Sequence, residues 1–393
     1  MRSYERINSL VRSPLTLERI LFEGRYDYVY DLMPFGVRGM SPEKRLNLLR
    51  AGGNFVRRRA RAWSLPLHLH VELTNYCDLQ CPVCPTGLRS VKRKPRAFDT
   101  GMFARLMDEV GPFLLTMSLW GWGEPLLHPQ LREMLRIAAQ FPVQSLLSTN
   151  GQTLNKEKVI HALVDFPPAH LIVAIDGLTD ATNGVFRVGA RLAPVLAGVR
   201  RLAEIKKQKG MVFPILHMRH IVMQHNEHEI GRVAGFARES GFDFLSIRSL
   251  FNTGVAEETH RALVPESSDL RAYKYDGDER VKPSGFICQQ PFWFPTVLAD
   301  GTVVACEQDY DAQQPMGTLA DSAFVDIWRG EQAARVRTII RDTPQAVSFC
   351  STCPYEGRTT CHFSIQAAGL NPGIQFPTVH GGGRATSAEA EFY

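Results

Sequence analysis

The stretch "LTNYCDLQCPVCPTG", Leu73–Gly87, sets Cys77, Cys81 and Cys84 within eight residues and supplies no fourth cysteine. A tetrahedral metal takes four ligands, so a loop offering three leaves one position to something else. The run before it, "HLHVEL" (His68–Leu73), is short and largely apolar and reads as a strand. The cysteine loop therefore begins where a strand ends.

Working outward, the same rhythm continues. "LLTMSLW", "VQSLLS", "HLIVAI", "PILHMRHIVM" and "FDFLSIR" are further strand candidates. Between them lie the helical stretches "HPQLREMLRIAAQF", "NKEKVIHALVDF", "RLAPVLAGVRRLAEIKKQKG" and "NEHEIGRVAGFARESG". Strand–helix–strand repetition predicts βαβ units, an α/β fold and a parallel sheet, open or partly closed as a TIM-like (β/α)6 barrel. Ligands in such sheets bind at the carboxyl ends of the strands. The cysteine triplet, "GWGEP", "TNG" and "DG" follow the first four strands, so all are expected at one mouth.

The 393 residues allow a full core, with 44% apolar and 22% charged residues as in ordinary globular chains. A net charge of +5 does not by itself indicate a nucleic-acid partner. "VRRRARAW" (Val56–Trp63) and "RSVKRKPR" (Arg89–Arg96) are basic clusters, either solvated surface or attraction for an anionic partner. No apolar run reaches bilayer length and the N-terminus lacks a signal-peptide pattern, so a cytoplasmic location is expected. In that compartment the eight cysteines point to metal binding or catalysis rather than disulfides.

The expected organisation is a helical extension over 1–66, the barrel over 67–250, a linker or active-site cover over 251–285, a cysteine-bearing module over 286–365 and a loose tail over 366–393. In the module, Cys288 and Cys306 bracket a predicted hairpin, "TVLADGTVVAC", with Asp-Gly at its turn, and Cys350-x2-Cys353 follows a helical stretch. Four thiolates so placed suit either an iron–sulfur cluster or structural zinc.

C-x3-C-x2-C after the first strand of a βα array resembles the signature of the radical S-adenosylmethionine enzymes. The resemblance implies a [4Fe–4S] cluster on Cys77, Cys81 and Cys84, its open iron bound by S-adenosylmethionine. Reductive cleavage of that cofactor then yields a 5′-deoxyadenosyl radical that abstracts a substrate hydrogen. "GWGEPLLHP" is similar to the family's Gly-Gly-Glu-Pro segment, which assigns Gly121, Gly123, Glu124 and Pro125 to the methionine amino group, with Trp122 replacing a glycine. By the same resemblance Ser148, Asn150 and Asp176 face the cofactor, Arg219 or His220 reaches a carboxylate, and Ser246 lies by the adenine. Asn226 is expected to cap the following helix.

The later cysteines resemble the SPASM accessory module and its shorter twitch form, as in 2-deoxy-scyllo-inosamine dehydrogenase. This implies one auxiliary [4Fe–4S] cluster on Cys288, Cys306, Cys350 and Cys353. Cys361 is left as a silent thiol, a substitute ligand or a hydrogen-atom donor. The absence of a strand pattern over 1–66 and the modest cysteine count favour a small polar metabolite as substrate, oxidised, dehydrated or epimerised. A reducing partner such as flavodoxin or ferredoxin is expected. A ribosomal peptide or protein is the alternative substrate, and a non-catalytic iron–sulfur or zinc protein is the reading from another class.

Overall fold

The computed structural model describes residues 14–250, 261–277, 279–282, 285–358, 363–371, 376–380 and 383–388. An N-terminal hairpin, β1 (Tyr26–Tyr30) and β2 (Met33–Arg38), precedes a helix over Pro42–Val56. The six expected core strands follow: β3 (His68–Val71), β4 (Thr116–Ser118), β5 (Gln144–Thr149), β6 (His170–Ala174), β7 (Ile215–Val222) and β8 (Phe244–Ser249). They pair in that order, each parallel to the next. Parallel strands are covered on both faces, which is why these segments read as near-continuous apolar runs. Helices over Thr100–Val110, Leu131–Ala138, Glu157–Asp165, Leu192–Lys209 and Ile230–Glu239 cover the outer face. Phe103, Leu135, Leu163, Leu202 and Val233 are buried there in one continuous core.

The later chain extends the sheet at both edges. A short hairpin, β9 (Tyr275–Asp276) and β10 (Glu279–Arg280), precedes β11 (Thr296–Val297), β12 (Thr302–Val304) and β13 (Pro315–Thr318). β11 adds parallel to β3 and carries β12 and β13 antiparallel beyond it. At the opposite edge β14 (Ser364–Gly369) adds antiparallel to β8. The sheet stays open, since β13 and β14 end the order without pairing to each other. Helices over Phe324–Arg329 and Glu331–Asp342 lock the cysteine module to the N-terminal segment. There Trp328 Nε1 donates to Ser64 O at 2.7 Å, and the buried Arg337 donates to the carbonyls of Pro291, Ala60 and Trp328.

The extension over 1–66 is not wholly helical. Met33 and Phe35 of the hairpin pack against Leu146, Ile172, Ile215 and Phe244 inside the barrel, and Tyr28 Oη bonds Thr116 Oγ1 at 2.7 Å. Four of these five partners lie in the early halves of their strands and Ile172 at the middle of β6, so the hairpin plugs the end opposite the strand carboxyl termini. β2 also pairs with β15 (Phe376–His380), which pairs with β16 (Gly383–Ala388), so part of the tail read as loose is strand. These strands were hidden because long-range pairing makes them; Asp27, Asp31, Pro34 and Gly36 blur the local pattern. The segment read as a linker is also anchored: Tyr273 Oη donates to Pro354 O at 2.7 Å and Arg280 to Cys353 O at 3.1 Å.

The helix over Pro42–Val56 starts on Ser41, whose side chain accepts from Lys44 N at 3.2 Å, with Pro42 at the first helical position. Lys44 crosses to the barrel, donating to Leu114 O at 2.7 Å and Pro142 O at 2.8 Å. Ser41→Ala removes the cap alone and is expected to cost about 1 kcal/mol, read as a midpoint shift in urea unfolding.

Candidate active site

Three loops at the carboxyl ends of β3, β4 and β5 are stitched into one unit. Thr74 Oγ1 donates to Glu124 O at 2.8 Å and Glu124 N donates to Tyr76 O at 2.8 Å, tying the "GWGEP" loop to the start of the cysteine loop. Asn150 then bridges both: its backbone N–H donates to Glu124 Oε2 at 2.7 Å, and its Nδ2 reaches Asp78 Oδ1 at 2.7 Å and Cys77 Sγ at 3.6 Å. Gly123 is required by this closeness, since a Cβ there would stand 2.1 Å from Thr74 O. Gly121 is similarly pressed against Glu72, with Cγ 2.5 Å from the position of a Cβ. Gly123→Ala is expected to destabilise by about 2 kcal/mol, because backbone rather than a flexible side chain must yield; chemical unfolding beside the parent measures it.

Glu124 is buried and accepts from Thr149 Oγ1 (2.6 Å), Leu126 N (2.9 Å) and Asn150 N (2.7 Å). A carboxylate has about four acceptor positions, so about one remains for an ammonium group. Burial pushes Glu124 up to about 7, so its ionised form prevails only above neutral pH. Pro125 begins the short 3-10 turn that Glu124 caps. Ser148 is half-buried near the end of β5.

Asp176, after β6, is fully buried and already engaged. Its Oδ1 accepts from Ile221 N at 2.7 Å and its Oδ2 from Arg187 Nε at 2.5 Å. The carboxylate expected to face the cofactor is thus held by the chain's own donors, and its effect is to fix Arg187, whose guanidinium also meets the Cys81 thiol. Sequence reading missed Arg187; the signal available was a basic residue ending the short helix after "AIDG". Ser246 is similarly committed, its Oγ bonded to His217 Nε2 at 2.7 Å. Asn226 does not cap with its side chain: Nδ2 donates to Asp176 O (2.7 Å) and Ile221 O (2.9 Å), bracing the ends of β6 and β7. His220 Nδ1 bonds Ile175 O at 2.9 Å. Arg219 projects from β7 toward Asp31 of the N-terminal hairpin, Nη2 to Oδ2 at 3.7 Å.

The second cysteine group lies across a short bridge. Cys84 Sγ meets Trp122 O at 3.8 Å, and Trp122 Nε1 donates to Glu307 O at 2.8 Å, next to Cys306. Glu307 accepts from Tyr355 Oη and pairs with His70 Nδ1 at 2.9 Å. Trp122, where the family pattern has glycine, thus ties the two cysteine regions together. Of the basic clusters, Arg93 is buried against Glu72 at 2.7 Å, and Arg57 and Arg59 stack on Trp63. Both clusters have partners within the fold.

The donor sets fit thiolate-held clusters. Cys81 lies within electrostatic reach of both Cys77 and Cys84, and Cys288 of Cys306, Cys350 and Cys353. N–H donors point at sulfur, from Leu79 to Cys77 at 3.4 Å and from Gln308 to Cys306 at 3.5 Å, as around cluster thiolates. Burial pushes Cys77 up to about 12, so ionisation there depends on a bound cation. Among the described residues no side chains converge tightly enough for a single metal ion; thiols serving separate irons need not do so. Cys361 lies outside the described residues.

Residues 71–237 match the sequence model of the Radical SAM superfamily, and residues 288–354 that of SPASM, an iron–sulfur cluster-binding domain. The chain belongs to the radical SAM superfamily. Its radical SAM domain is of the kind that binds a [4Fe–4S] cluster and S-adenosylmethionine, and its SPASM domain is of the kind that binds auxiliary iron–sulfur clusters.

Among curated relatives, this radical SAM protein is 26% identical over 207 residues to a PqqA peptide cyclase of Gluconobacter oxydans, covering 53% of the chain and 56% of that protein. It therefore spans little more than half the length of that relative. It is 25% identical to a tungsten-containing aldehyde ferredoxin oxidoreductase cofactor-modifying protein of Pyrococcus furiosus, covering 75% of the chain and 89% of the relative. In fold it is similar to Streptococcus suis SuiB crystallised with S-adenosylmethionine, with a TM-score of 0.55 at 16% identity, covering 80% of the chain and 77% of SuiB. Among the described residues no helix is long and apolar enough to cross a membrane.

Proposed function

We propose that this radical SAM enzyme modifies a peptide or protein substrate, with Cys77, Cys81 and Cys84 holding the catalytic cluster and Cys288, Cys306, Cys350 and Cys353 an auxiliary one. The observation that carries the chemistry is Asn150, which touches Glu124, Asp78 and Cys77 together and so joins the thiol loop to the expected amino-group acceptor. When bound, the cluster and S-adenosylmethionine supply hydrogen-atom abstraction from an unactivated carbon. Glu124 offers its remaining acceptor position to the methionine ammonium. Gly121 and Gly123 let that loop approach the cysteine loop, and Ser148 and Asn150 orient polar groups of the cofactor. Asp176 fixes Arg187 beside Cys81, where a guanidinium can meet a carboxylate of the cofactor. Pro125 sets the turn behind Glu124, and Ser246 contributes through its backbone, its hydroxyl being held by His217.

The peptide reading rests on the PqqA peptide cyclases among the relatives. The metabolite reading leaned on a strandless N-terminal segment, and β1 and β2 remove that support. A small-molecule substrate stays as a second reading because another relative, 89% of whose length is matched, is named for modifying a cofactor. The test is anaerobic incubation of the reconstituted chain with S-adenosylmethionine, reductant and either a pool of short peptides or a pool of aminocyclitols and sugars. Mass changes confined to peptides are expected; turnover of the small polyols alone would overturn the peptide assignment.

A further inference from the structure

The bridge between the two cysteine regions ends on a single peptide group. Trp122 Nε1 donates to Glu307 O at 2.8 Å, and the nitrogen of that same peptide, Gln308 N, donates to Cys306 Sγ at 3.5 Å. The peptide is trans and planar, with C=O and N–H pointing opposite ways, so a grip on the oxygen fixes where the N–H aims. A donor at the oxygen also polarises the peptide and strengthens the bond that its own N–H makes. The arrangement is a relay, from indole N–H to carbonyl and from amide N–H to sulfur.

Both ends of the relay are held. The Glu307 carboxylate accepts from Tyr355 Oη and pairs with His70 Nδ1 at 2.9 Å, so this residue is pinned through side chain and backbone alike. The Trp122 ring meets Tyr310 edge-on, centroids 5.9 Å apart, and its carbonyl lies 3.8 Å from Cys84 Sγ. Cys306 and Gln308 are buried, and a hydrogen bond counts for more there than at the surface. Hydrogen bonds to the sulfurs help to set a cluster's potential, because they favour the more negative reduced form. We propose that Trp122 is a positioning residue for the auxiliary cluster: by holding the Glu307–Gln308 peptide it fixes the N–H···S bond at Cys306 and raises that cluster's reduction potential. Its loop also carries Glu124, so a residue of the first site poises the second. The inference rests on the auxiliary cluster proposed for Cys288, Cys306, Cys350 and Cys353, and adds the residue that tunes it.

The test is an anaerobic redox titration with dithionite, followed by electron paramagnetic resonance. The reconstituted full chain carries Cys77→Ala, Cys81→Ala and Cys84→Ala, so that the auxiliary cluster titrates alone. Adding Trp122→Phe keeps a ring beside Tyr310 and removes the N–H. The one-electron reduction equilibrium is expected to fall at least about threefold, a potential lower by about 28 mV at 59 mV per tenfold change. Coupling of an exchangeable proton to the reduced cluster, compared in H2O and D2O by electron–nuclear double resonance, is expected to weaken with it. A ring that served packing alone would change iron content or stability and leave both readouts where they were. A potential that falls by less than that margin or rises overturns the proposal, as does a lowered potential with the proton coupling intact. If Trp122→Phe takes up no auxiliary iron, benzothienylalanine at position 122 keeps the bicyclic shape and replaces only the N–H. The same fall is expected there, and an unchanged potential overturns the proposal equally. Absence of iron from the chain that retains Trp122 would instead sink the auxiliary-cluster reading itself.

Discussion

Replacing Cys77, Cys81 and Cys84 together by alanine is expected to abolish release of 5′-deoxyadenosine while leaving about four irons per chain, those of one cubane cluster. The three thiols share a loop whose shape is set by its neighbours: Thr74 and Tyr76 are tied to Glu124, and Asn150 reaches both Asp78 and Cys77. Of these bonds, losing the sulfurs removes only that from Asn150 to Cys77, so the loop should keep its course while losing its cluster. The second group stands on other elements: Cys288 precedes the short helix Gln290–Trp293, Cys306 follows β12, and Cys350 lies in the short helix Ser348–Ser351 with Cys353 just after it; Cys306 is buried beside Val347 and Phe349. Iron determination with sulfide assay and product chromatography checks both halves. Loss of all iron would mean that the later thiols hold no cluster of their own; undiminished product would remove the catalytic role from the triplet.

Asp31→Ala is expected to destabilise the protein by about 3–5 kcal/mol, the range for removing one partner of a buried ion pair. Its side chain is 1% exposed, and it is shared by Arg219, Arg248 and the backbone N–H of Ser364. Without it two buried guanidiniums lose their common acid, and the hairpin loses its polar link to β7, β8 and β14. Asp31→Asn keeps the shape and some hydrogen bonding but not the charge, and should fall between the two. Guanidinium-independent denaturation, by urea with tryptophan fluorescence, gives the comparison. A change below about 1 kcal/mol, as for an exposed pair, would show that the cluster is solvated rather than buried.

The core was legible because its six strands are short apolar runs separated by helices, a pattern that local residues impose by themselves. All six appear in the expected order, and the cysteine loop, "GWGEP", "TNG" and "DG" do meet at their carboxyl ends. The N-terminal hairpin was not legible because Tyr26, Tyr28 and Tyr30 alternate only briefly before Asp31 and Pro34, and its strand character comes from the barrel interior and from β15. The site residues divide in the same way. Glycines 121 and 123 could be read from their motif, since close backbone approach demands glycine. The commitments of Asp176 to the Ile221 backbone and of Ser246 to His217 depend on a neighbouring strand and leave no local trace, whereas Arg187 lies just past the helix that follows "AIDG". Asp31, the acid that faces the arginines, is 188 positions from Arg219, far outside any motif window.

An iron corner left by three thiols for S-adenosylmethionine would be visible in electron paramagnetic resonance of the reduced full-length protein, with isotopically labelled cofactor for hyperfine coupling. Adding S-adenosylmethionine is expected to reshape the cluster signal and to introduce coupling to its amino nitrogen and carboxylate oxygen. A signal untouched by the cofactor, or thiols found loaded with zinc, would contradict it.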